Sequence, residues 1–563
     1  MAIEQLKVKE IVKQAVSKSV DIPEFQRDFI WSPEQVKLFT ESLYRDYPVG
    51  SFLLWDSSEY HEAKTAKGEG STLWIVDGQQ RTTALCLLMG CKPYWWPNFK
   101  DWNKYLKRYD VMVNMMPEED EYPEFALRNP FREKDPRWVS VRRILSAEKP
   151  EEFTKLAAEI AQKLAQSPEE MMEILGKLNA KFHEVWQIRE RDIPVIKIDH
   201  EIEDVAEIFA RLNQAGTRVK EADVVLALAA AQNPGWVREE YLPFCTELKE
   251  RGWDLDAGIY IRTMTGIGCG RSRLKEVKKE FWCSENLEMV WKKTKTAITE
   301  VLKRLSEFGI LNPDLLPSTN SLIPLFVIHH RWKEDKGYRF NKAFHWFLIA
   351  NKDGRYTTSP TTSLNEDVRA IAESSCFIKA LETLNGRLRS QPEIKDEEFL
   401  NRYDRAGNRF LRLMLYLILF NRGALDWVDR TRIGYDKAGD LALGGFKPQW
   451  HHIFPRSVLK RADYSDDDIH TLANITVLNE QTNVGKLSGK EPWRYISRYE
   501  ISADLLKSHL IPESFICEIE EEGVLRQKWD VRNYTDFVIE RAYLLAEETN
   551  RFLKKLLSLD DSG

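Results

Sequence analysis

The sequence predicts an α+β chain of more than one domain, and three observations support this prediction. The chain has 563 residues, a length for which two to four domains are expected. Short apolar runs typical of strands alternate with helical segments up to about residue 230. Beyond that point the pattern is mainly that of amphipathic helices, interrupted by one compact polar stretch towards the C-terminus.

The composition is that of a globular protein, with 43% hydrophobic and 30% charged residues. No apolar run is long enough to span a bilayer, and the first residues lack the apolar core of a signal peptide, so we expect a cytoplasmic protein without a membrane partner. The seven scattered cysteines contain no C-x-x-C pair, which argues against a disulfide framework and a zinc knuckle. A net charge of −6 argues against a protein that coats DNA but allows a local basic cleft.

The predicted organisation has three parts, residues 1–230, 231–395 and 396–563. In the first part the predicted strands are "SFLLW", "LWIV", "YDVMVNM" and "IPVIKI", and "SPEQVKLFTESLYRDY" is a helix that starts with a serine cap and a proline. The middle part is a helical linker or relay region. The last part begins with one long predicted helix, "EFLNRYDRAGNRFLRLMLYLILFNRG", before the polar stretch.

The segment "WIVDGQQRTTAL" combines a strand end, a turn and a helix start. Backbone N–H groups at a helix start favour phosphate, and Arg81 adds a bidentate donor. Gly78 allows close approach of the backbone, while Gln79 and Gln80 can orient a water or a ribose. Asp77 can hold a metal or stabilise the turn. The alternative is an ordinary Asp-Gly turn followed by an exposed arginine.

Two further segments repeat this chemistry. Gln26 and Arg27 in "IPEFQRDFIW" again precede a helix cap, and Arg211 and Asn213 in "FARLNQAGT" stand between two helical runs. For Arg211 and Asn213, capping and packing roles are equally compatible with the pattern. The chain contains no P-loop sequence.

The C-terminal segments "PQWHHIFPRSVLK" and "LANITVLNEQTNVGK" contain the most specific chemistry. His451 and His452 end a short strand-like piece, and Asn474 and Asn483 flank a second one. Histidine and asparagine side chains can bind one divalent ion and leave one imidazole for activating water, which is what phosphodiester hydrolysis needs.

Two nearby residues are assigned less specifically. Lys486 is a further candidate for a phosphate contact, although a solvated lysine fits the pattern as well. His470 follows an acidic run, and we expect it to be a capping or solvated histidine without a catalytic role.

The order His-His, Asn, Asn resembles the HNH, or ββα-metal, nucleases. The resemblance implies that His451 binds the metal and His452 is the general base. It also implies that Asn474 braces the hairpin and orients the base, and that Asn483 is the second metal ligand.

The N-terminal segments resemble the ParB/sulfiredoxin-like domain with a D-G-Q-Q-R signature, found in GmrSD-type and SspE-type restriction proteins. The resemblance implies that residues 77–81 form a nucleoside triphosphate site, with Arg27 nearby and Gln26, Arg211 and Asn213 as further candidates.

Together the two resemblances imply an endonuclease of modification-dependent, type IV-like restriction that defends a cell against phage. It would depend on an NTP (GTP, ATP or another) and on Mg²⁺, Mn²⁺ or another divalent ion. Its partner would be double-stranded DNA, modified or not, and the sequence leaves a homodimer open. One alternative is a nucleotide-switched DNA-binding or partner-binding regulator with an inactive HNH fold. The other is an NTPase that acts by nucleotide depletion.

Overall fold

The computed structural model describes residues 2–22, 29–56, 73–96, 101–117, 124–200, 205, 208, 221–233, 235–357, 360–443, 447–479, 482, 487, 489–517 and 522–558. The chain forms two compact units, Met1–Tyr241 and Leu242–Gly563. Both contain helices and small sheets, which confirms a mixed α and β fold with more than one domain. None of the helices in the described ranges combines the length and the apolar character needed to cross a bilayer.

The first unit contains helices and strands in alternation. Its helices are α1 (Val8–Val16), α2 (Pro33–Tyr44), α3 (Gln79–Met89), α4 (Trp102–Arg108), α5 (Val141–Leu145), α6 (Thr154–Leu164), α7 (Pro168–Trp186) and α8 (Glu221–Gln232). Its strands are β1 (Ala2–Lys7), β2 (Phe52–Asp56), β3 (Leu73–Asp77), β4 (Val111–Asn114), β5 (Phe125–Leu127), β6 (Trp138–Ser140) and β7 (Asp192–Ile198).

The main sheet of this unit has the strand order β1-β7-β2-β3. Strand β2 runs parallel to β7 and antiparallel to β3, and β1 is antiparallel to β7. The three central residues of β3 are fully buried because both faces of this strand are covered. Asp77 is the last residue of β3, and Gly78 connects this buried strand directly to the start of α3.

The predicted strands of the first unit are confirmed as β2, β3, β4 and β7. The predicted cap of α2 is also confirmed, because Ser32 Oγ accepts a hydrogen bond from the Gln35 backbone N–H at 3.3 Å. A second sheet, with the order β5-β4-β6, completes the strands of this unit.

The second unit is mainly helical. Its helices are α9 (Leu242–Glu250), α10 (Ala257–Cys269), α11 (Ser284–Glu307), α12 (Leu322–Trp332), α13 (Phe340–Lys352), α14 (Pro360–Glu373), α15 (Phe377–Asn385), α16 (Asp396–Phe399), α17 (Arg409–Asn421), α18 (Arg456–Arg461), α19 (Asp466–Ile469), α20 (Pro492–Arg498), α21 (Ala503–Ser508), α22 (Glu522–Lys528) and α23 (Tyr534–Ser558). Its strands are β8 (Gln449–His452) and β9 (Ile475–Leu478), which form an antiparallel pair.

The prediction of one long helix at the start of the last part is wrong. Helix α16 ends at Phe399, and α17 begins only at Arg409. Between them the backbone bonds to a later segment: Arg402 bridges Thr471, and the Tyr403 N–H donates to the His470 carbonyl at 2.9 Å. These tertiary hydrogen bonds replace the helical ones, which the periodicity of the sequence does not reveal.

Candidate functional site

The first candidate site lies on the hairpin of β8 and β9. His451 pairs with Thr476 and His452 with Ile475 across the two strands. Because consecutive side chains of a strand point to opposite faces, the two histidines face different surroundings.

Asn474 closes this hairpin. Its side chain is fully buried, and its Oδ1 accepts a hydrogen bond from the Phe454 N–H at 2.8 Å. Its Nδ2 donates to the carbonyls of Phe454 and Ile469, both at 3.0 Å. One amide side chain therefore ties the residues after β8 to the residues before β9, so the end of β8 and its two histidines are held in place.

A buried cation reinforces this turn from the last helix. Arg541 is fully buried and donates to the carbonyls of Ala473 and Ile475, at 2.6 and 2.8 Å, on either side of Asn474. Burial lowers the pKa of Arg541 to about 9. Nothing near Asn474 in the sequence indicated this contact, because the arginine comes from α23.

His451 lies in an aromatic surrounding and is 3% exposed. Its ring is 5.9 Å from the rings of Trp427 and Tyr495, in edge-to-face geometry. The Tyr495 hydroxyl donates to the Ile453 carbonyl at 2.7 Å, so the ring that packs on His451 is itself held by the hairpin.

Asp426 connects this aromatic surrounding with the segment after β9. Its carboxylate accepts hydrogen bonds from the Asn479 N–H and the Thr482 hydroxyl, both at 2.8 Å. The next residue, Trp427, packs on His451, so one loop contacts both His451 and the chain that leads to position 483. Asn483 and Lys486 themselves lie outside the described residues.

The structure brings His452 against His470. His452 Nε2 lies 2.9 Å from His470 Nδ1, and the Tyr403 ring packs edge-on against His452 at 5.6 Å. His470 is 8% exposed and follows α19 as its C-terminal cap. The expectation of a solvated His470 is therefore wrong; the expectation of a capping position is confirmed. The sequence signal for a place near the site was the position of His470, four residues before Asn474.

Burial controls the charge of His452. It lowers the pKa of this imidazole to about 3, with smaller contributions from the neighbouring His470, His451 and Arg456. His452 is therefore neutral at pH 7, the protonation state that a general base requires.

The described residues include one part of a metal donor set. An imidazole nitrogen from His451 and an amide oxygen from Asn483 are donors that divalent ions accept. Among the residues that the structure describes, no group of three or more His, Cys, Asp or Glu side chains forms a complete metal site. Of the two implied ligands, the described residues include His451, whose imidazole can supply one nitrogen to a divalent ion.

The second candidate site is the start of α3. Gly78 has φ +107°, and a Cβ at this position would lie 2.5 Å from Phe52 Cδ1, so only glycine fits. Arg81 donates to the Asp77 carboxylate and to the Val49 carbonyl, both at 2.7 Å, and its guanidinium lies 4.7 Å from the Phe52 ring centre.

Arg81 thus uses two of its five N–H groups within the described residues, and its side chain is 15% exposed. Asp77 stabilises the turn by holding this arginine. The remaining N–H groups of Arg81 and the backbone N–H groups of the first turn are compatible with an anion.

Gln80 links the start of α3 to another predicted segment. Its Oε1 accepts a hydrogen bond from the Ile30 N–H at 2.8 Å, and Gln79 is buried. On the other side of that segment, Asp21 forms a bridge with Trp74 of β3. Gln26 and Arg27, which lie between these anchored residues, are outside the described residues, as are Arg211 and Asn213.

Comparison with known proteins identifies the first unit. The chain is 21% identical to an uncharacterized protein of Methanocaldococcus jannaschii, over 96% of this chain and 97% of that protein. Residues 8–230 match the family described as GmrSD restriction endonuclease, N-terminal domain. Residues 8–230 are therefore an N-terminal domain of the GmrSD restriction endonuclease family.

Proposed function

We propose that this protein is a DNA endonuclease of modification-dependent restriction that requires a divalent metal and a nucleoside triphosphate and acts against phage DNA. The observation that supports the nuclease most directly is the hairpin of β8 and β9. Asn474 closes it, and His451 and His452 end its first strand. The family of the N-terminal domain supports the restriction context.

In the proposed reaction His452 removes a proton from the attacking water. If its Nε2–H donates to His470 Nδ1, the lone pair of His452 lies on Nδ1. His470 then acts as a positioning residue that selects this tautomer and stabilises the imidazolium formed when the water loses its proton. Asn474 holds the backbone that orients the ring.

His451 and Asn483 would hold the divalent ion. When bound, such an ion supplies positive charge for the oxygen that leaves phosphorus. The protein's own contribution is to keep His451 rigid between Trp427 and Tyr495 and to anchor the segment before Asn483 through Asp426.

For the N-terminal domain we propose binding and hydrolysis of the nucleotide. Arg81 would hold phosphate through N–H groups that Asp77 and Val49 do not use, with Arg27 as a second donor. Gln79 and Gln80 would orient the attacking water, and Gln80 would also position the segment that contains Gln26 and Arg27. Arg211 and Asn213 remain candidates for further contacts to the nucleotide, and Lys486, in the C-terminal segment, remains a candidate for a contact to a DNA phosphate.

A plasmid-nicking assay with Mg²⁺ or Mn²⁺, with and without NTP, on modified and unmodified DNA tests the nuclease. We expect the wild-type protein to nick DNA and His452→Ala to lose the activity. The matched control is His330→Ala, a half-buried histidine on α12. Equal nicking by wild type and His452→Ala would remove His452 as the base. No nicking under any condition would favour a regulator with an inactive HNH fold.

Phosphate release from NTP tests the nucleotide site. Arg81→Ala should abolish phosphate release. The matched control is Arg142→Ala, because Arg142 also bonds a carbonyl and a carboxylate in the same unit; this variant should retain phosphate release. Release that is independent of Arg81 would disprove the assignment. Release without any DNA cleavage would favour an effector that depletes nucleotide.

A further inference from the structure

A basic cleft lies beside the start of β8, the strand that ends at His452. Its walls include Arg412, Lys447, Pro448, Trp450 and Leu315, with Asp314 at its exposed rim, and it encloses about 200 Å³. The Arg412 guanidinium lies over the Trp450 ring, 5.5 Å from the ring centre. We refer to this feature as the Arg412 cleft.

Trp450, which lines the cleft, is on the same strand as His452. Trp450 and His452 are two residues apart on β8, so their side chains project from the same face and their Cα atoms are about 7 Å apart. Tyr403 joins the two positions from the other side, because it packs on His452 and lies within electrostatic range of Arg412.

Arg412 has no close ion-pair partner among the described residues, and Asp404 attracts it only from a longer distance. Among the described residues it makes no hydrogen bond and no ion pair, and Arg409, one turn earlier in α17, makes none either. Two like charges at positions i and i+3 repel each other, and both lie at the helix end where the macrodipole already favours anions. This arrangement costs stability and is compensated when an anion binds.

Burial and the Arg409 charge both lower the pKa of Arg412. Arg412 is half-buried, lines the cleft and has the Trp450 ring on one side of its guanidinium. Arginine in such a setting suits a phosphate, since its planar fork matches two phosphate oxygens and desolvation strengthens the bond.

We propose that Arg412 and Trp450 form a contact for the DNA strand that is cut, with Arg412 on a backbone phosphate and Trp450 against the adjoining sugar. The proposal rests on the nuclease function proposed above. Trp450 lies about 7 Å from His452 along β8, so the sugar that packs on Trp450 would lie close to the scissile phosphate. Asp314 would disfavour a phosphate on its own side of the cleft.

The test measures DNA binding by the His452→Ala protein, so that cleavage does not interfere. Binding of a labelled duplex is followed by fluorescence anisotropy between about 50 and about 200 mM KCl, with and without NTP. In this background Arg412→Ala should weaken binding roughly fivefold to tenfold and reduce the slope of log K against log salt by about 0.9. Arg412→Lys should retain most of the slope, because it keeps the charge, but it should still bind more weakly.

The matched control is Arg331→Ala, which removes an arginine that lies over Trp332 at 5.0 Å on α12. It should leave both the affinity and the slope unchanged. Trp450→Phe keeps an aromatic ring in the hairpin and should weaken binding without changing the slope. Circular dichroism identifies any variant that fails to fold, in which case Arg412→Gln replaces Arg412→Ala.

The outcomes separate this proposal from the nuclease proposal. If Arg412→Ala keeps the wild-type slope and affinity while the wild-type protein nicks plasmid, the cleft is not a DNA contact and the nuclease stands. If the slope falls but no nicking occurs, the contact stands and the nuclease assignment fails. Absence of DNA binding in every condition overturns the cleft proposal.

Discussion

Replacing Asn474 by alanine tests the hairpin most directly. The side chain makes three hydrogen bonds in a fully buried site, two to Phe454 and one to Ile469. Alanine leaves three buried backbone groups without partners, and each costs about 1 to 2 kcal/mol, so the free energy of unfolding of this region should fall by about 3 to 6 kcal/mol. This is a large part of the stability of an ordinary domain.

The assay for Asn474→Ala combines amide hydrogen exchange of residues 449–456 with plasmid nicking. We expect faster exchange at the Phe454 amide and loss of nicking, because the strand end that carries His452 loses its anchor. Asn550 provides a matched control, since its side chain also binds the N–H and the carbonyl of one residue, Ile394. It is only half-buried, and Asn550→Ala should retain nicking. Unchanged exchange together with wild-type nicking in Asn474→Ala would refute the reasoning.

Three further predictions follow from the same contacts. Gly78→Ala should destabilise the first unit more than Gly90→Ala. Both glycines have positive φ, but a Cβ at position 78 would lie 2.5 Å from the Phe52 ring, whereas a Cβ at position 90 would lie 3.1 Å from the flexible Arg142 side chain. Equal thermal unfolding temperatures of the two variants would disprove this prediction. Asp426→Asn should raise the Mn²⁺ concentration needed for nicking, because Asp426 anchors both Asn479 and Thr482. Asp429→Asn should not, because Asp429 accepts from the Asn479 side chain and the Thr431 N–H and does not anchor Thr482 among the described residues; an equal change in the Mn²⁺ requirement of both variants would contradict the anchoring role of Asp426. Burial lowers the pKa of His345 to about 4, so the unfolded chain binds this proton more tightly. As the pH is lowered from about 6.5 to about 4, His345 should therefore reduce the free energy of unfolding by about 1.4 kcal/mol per pH unit, in addition to the contribution of His452. His345→Leu should reduce the slope of this part of the stability profile by that amount, and an unchanged slope would exclude the contribution of His345.

Local patterns predicted the elements whose contacts are near in sequence. Strand β3, the Gly78 turn and the cap of α2 follow from apolar runs, a glycine and a serine-proline start, each of which acts within a few residues. The long helix across residues 400–408 was wrong because Arg402 and Tyr403 bond to residues of a distant segment. The hydrophobic periodicity of a segment carries no information about a hydrogen-bond partner that is about seventy residues away in the sequence.

The same distinction applies to the nuclease candidate. His451, His452 and Asn474 were identified because their types and order are specific, and β8 and β9 do bring these three together. Their supports were not identified. His470 was expected to be a capping or solvated residue and not a partner of His452, and Arg541, Asp426 and Arg412 come from segments whose local sequence carries no such signal.

The sequence by itself determined which chemical groups are present and in what order, because residue type and spacing decide which side chains a turn or a strand can present. The tertiary structure alone decided how these groups are held and charged. Burial keeps His452 neutral, and the Asp77 carboxylate binds part of the Arg81 guanidinium. Arg412 lines a cleft and has no ion-pair partner among the described residues. Burial and charge pairing depend on contacts between distant segments, so they exist only after the chain has folded.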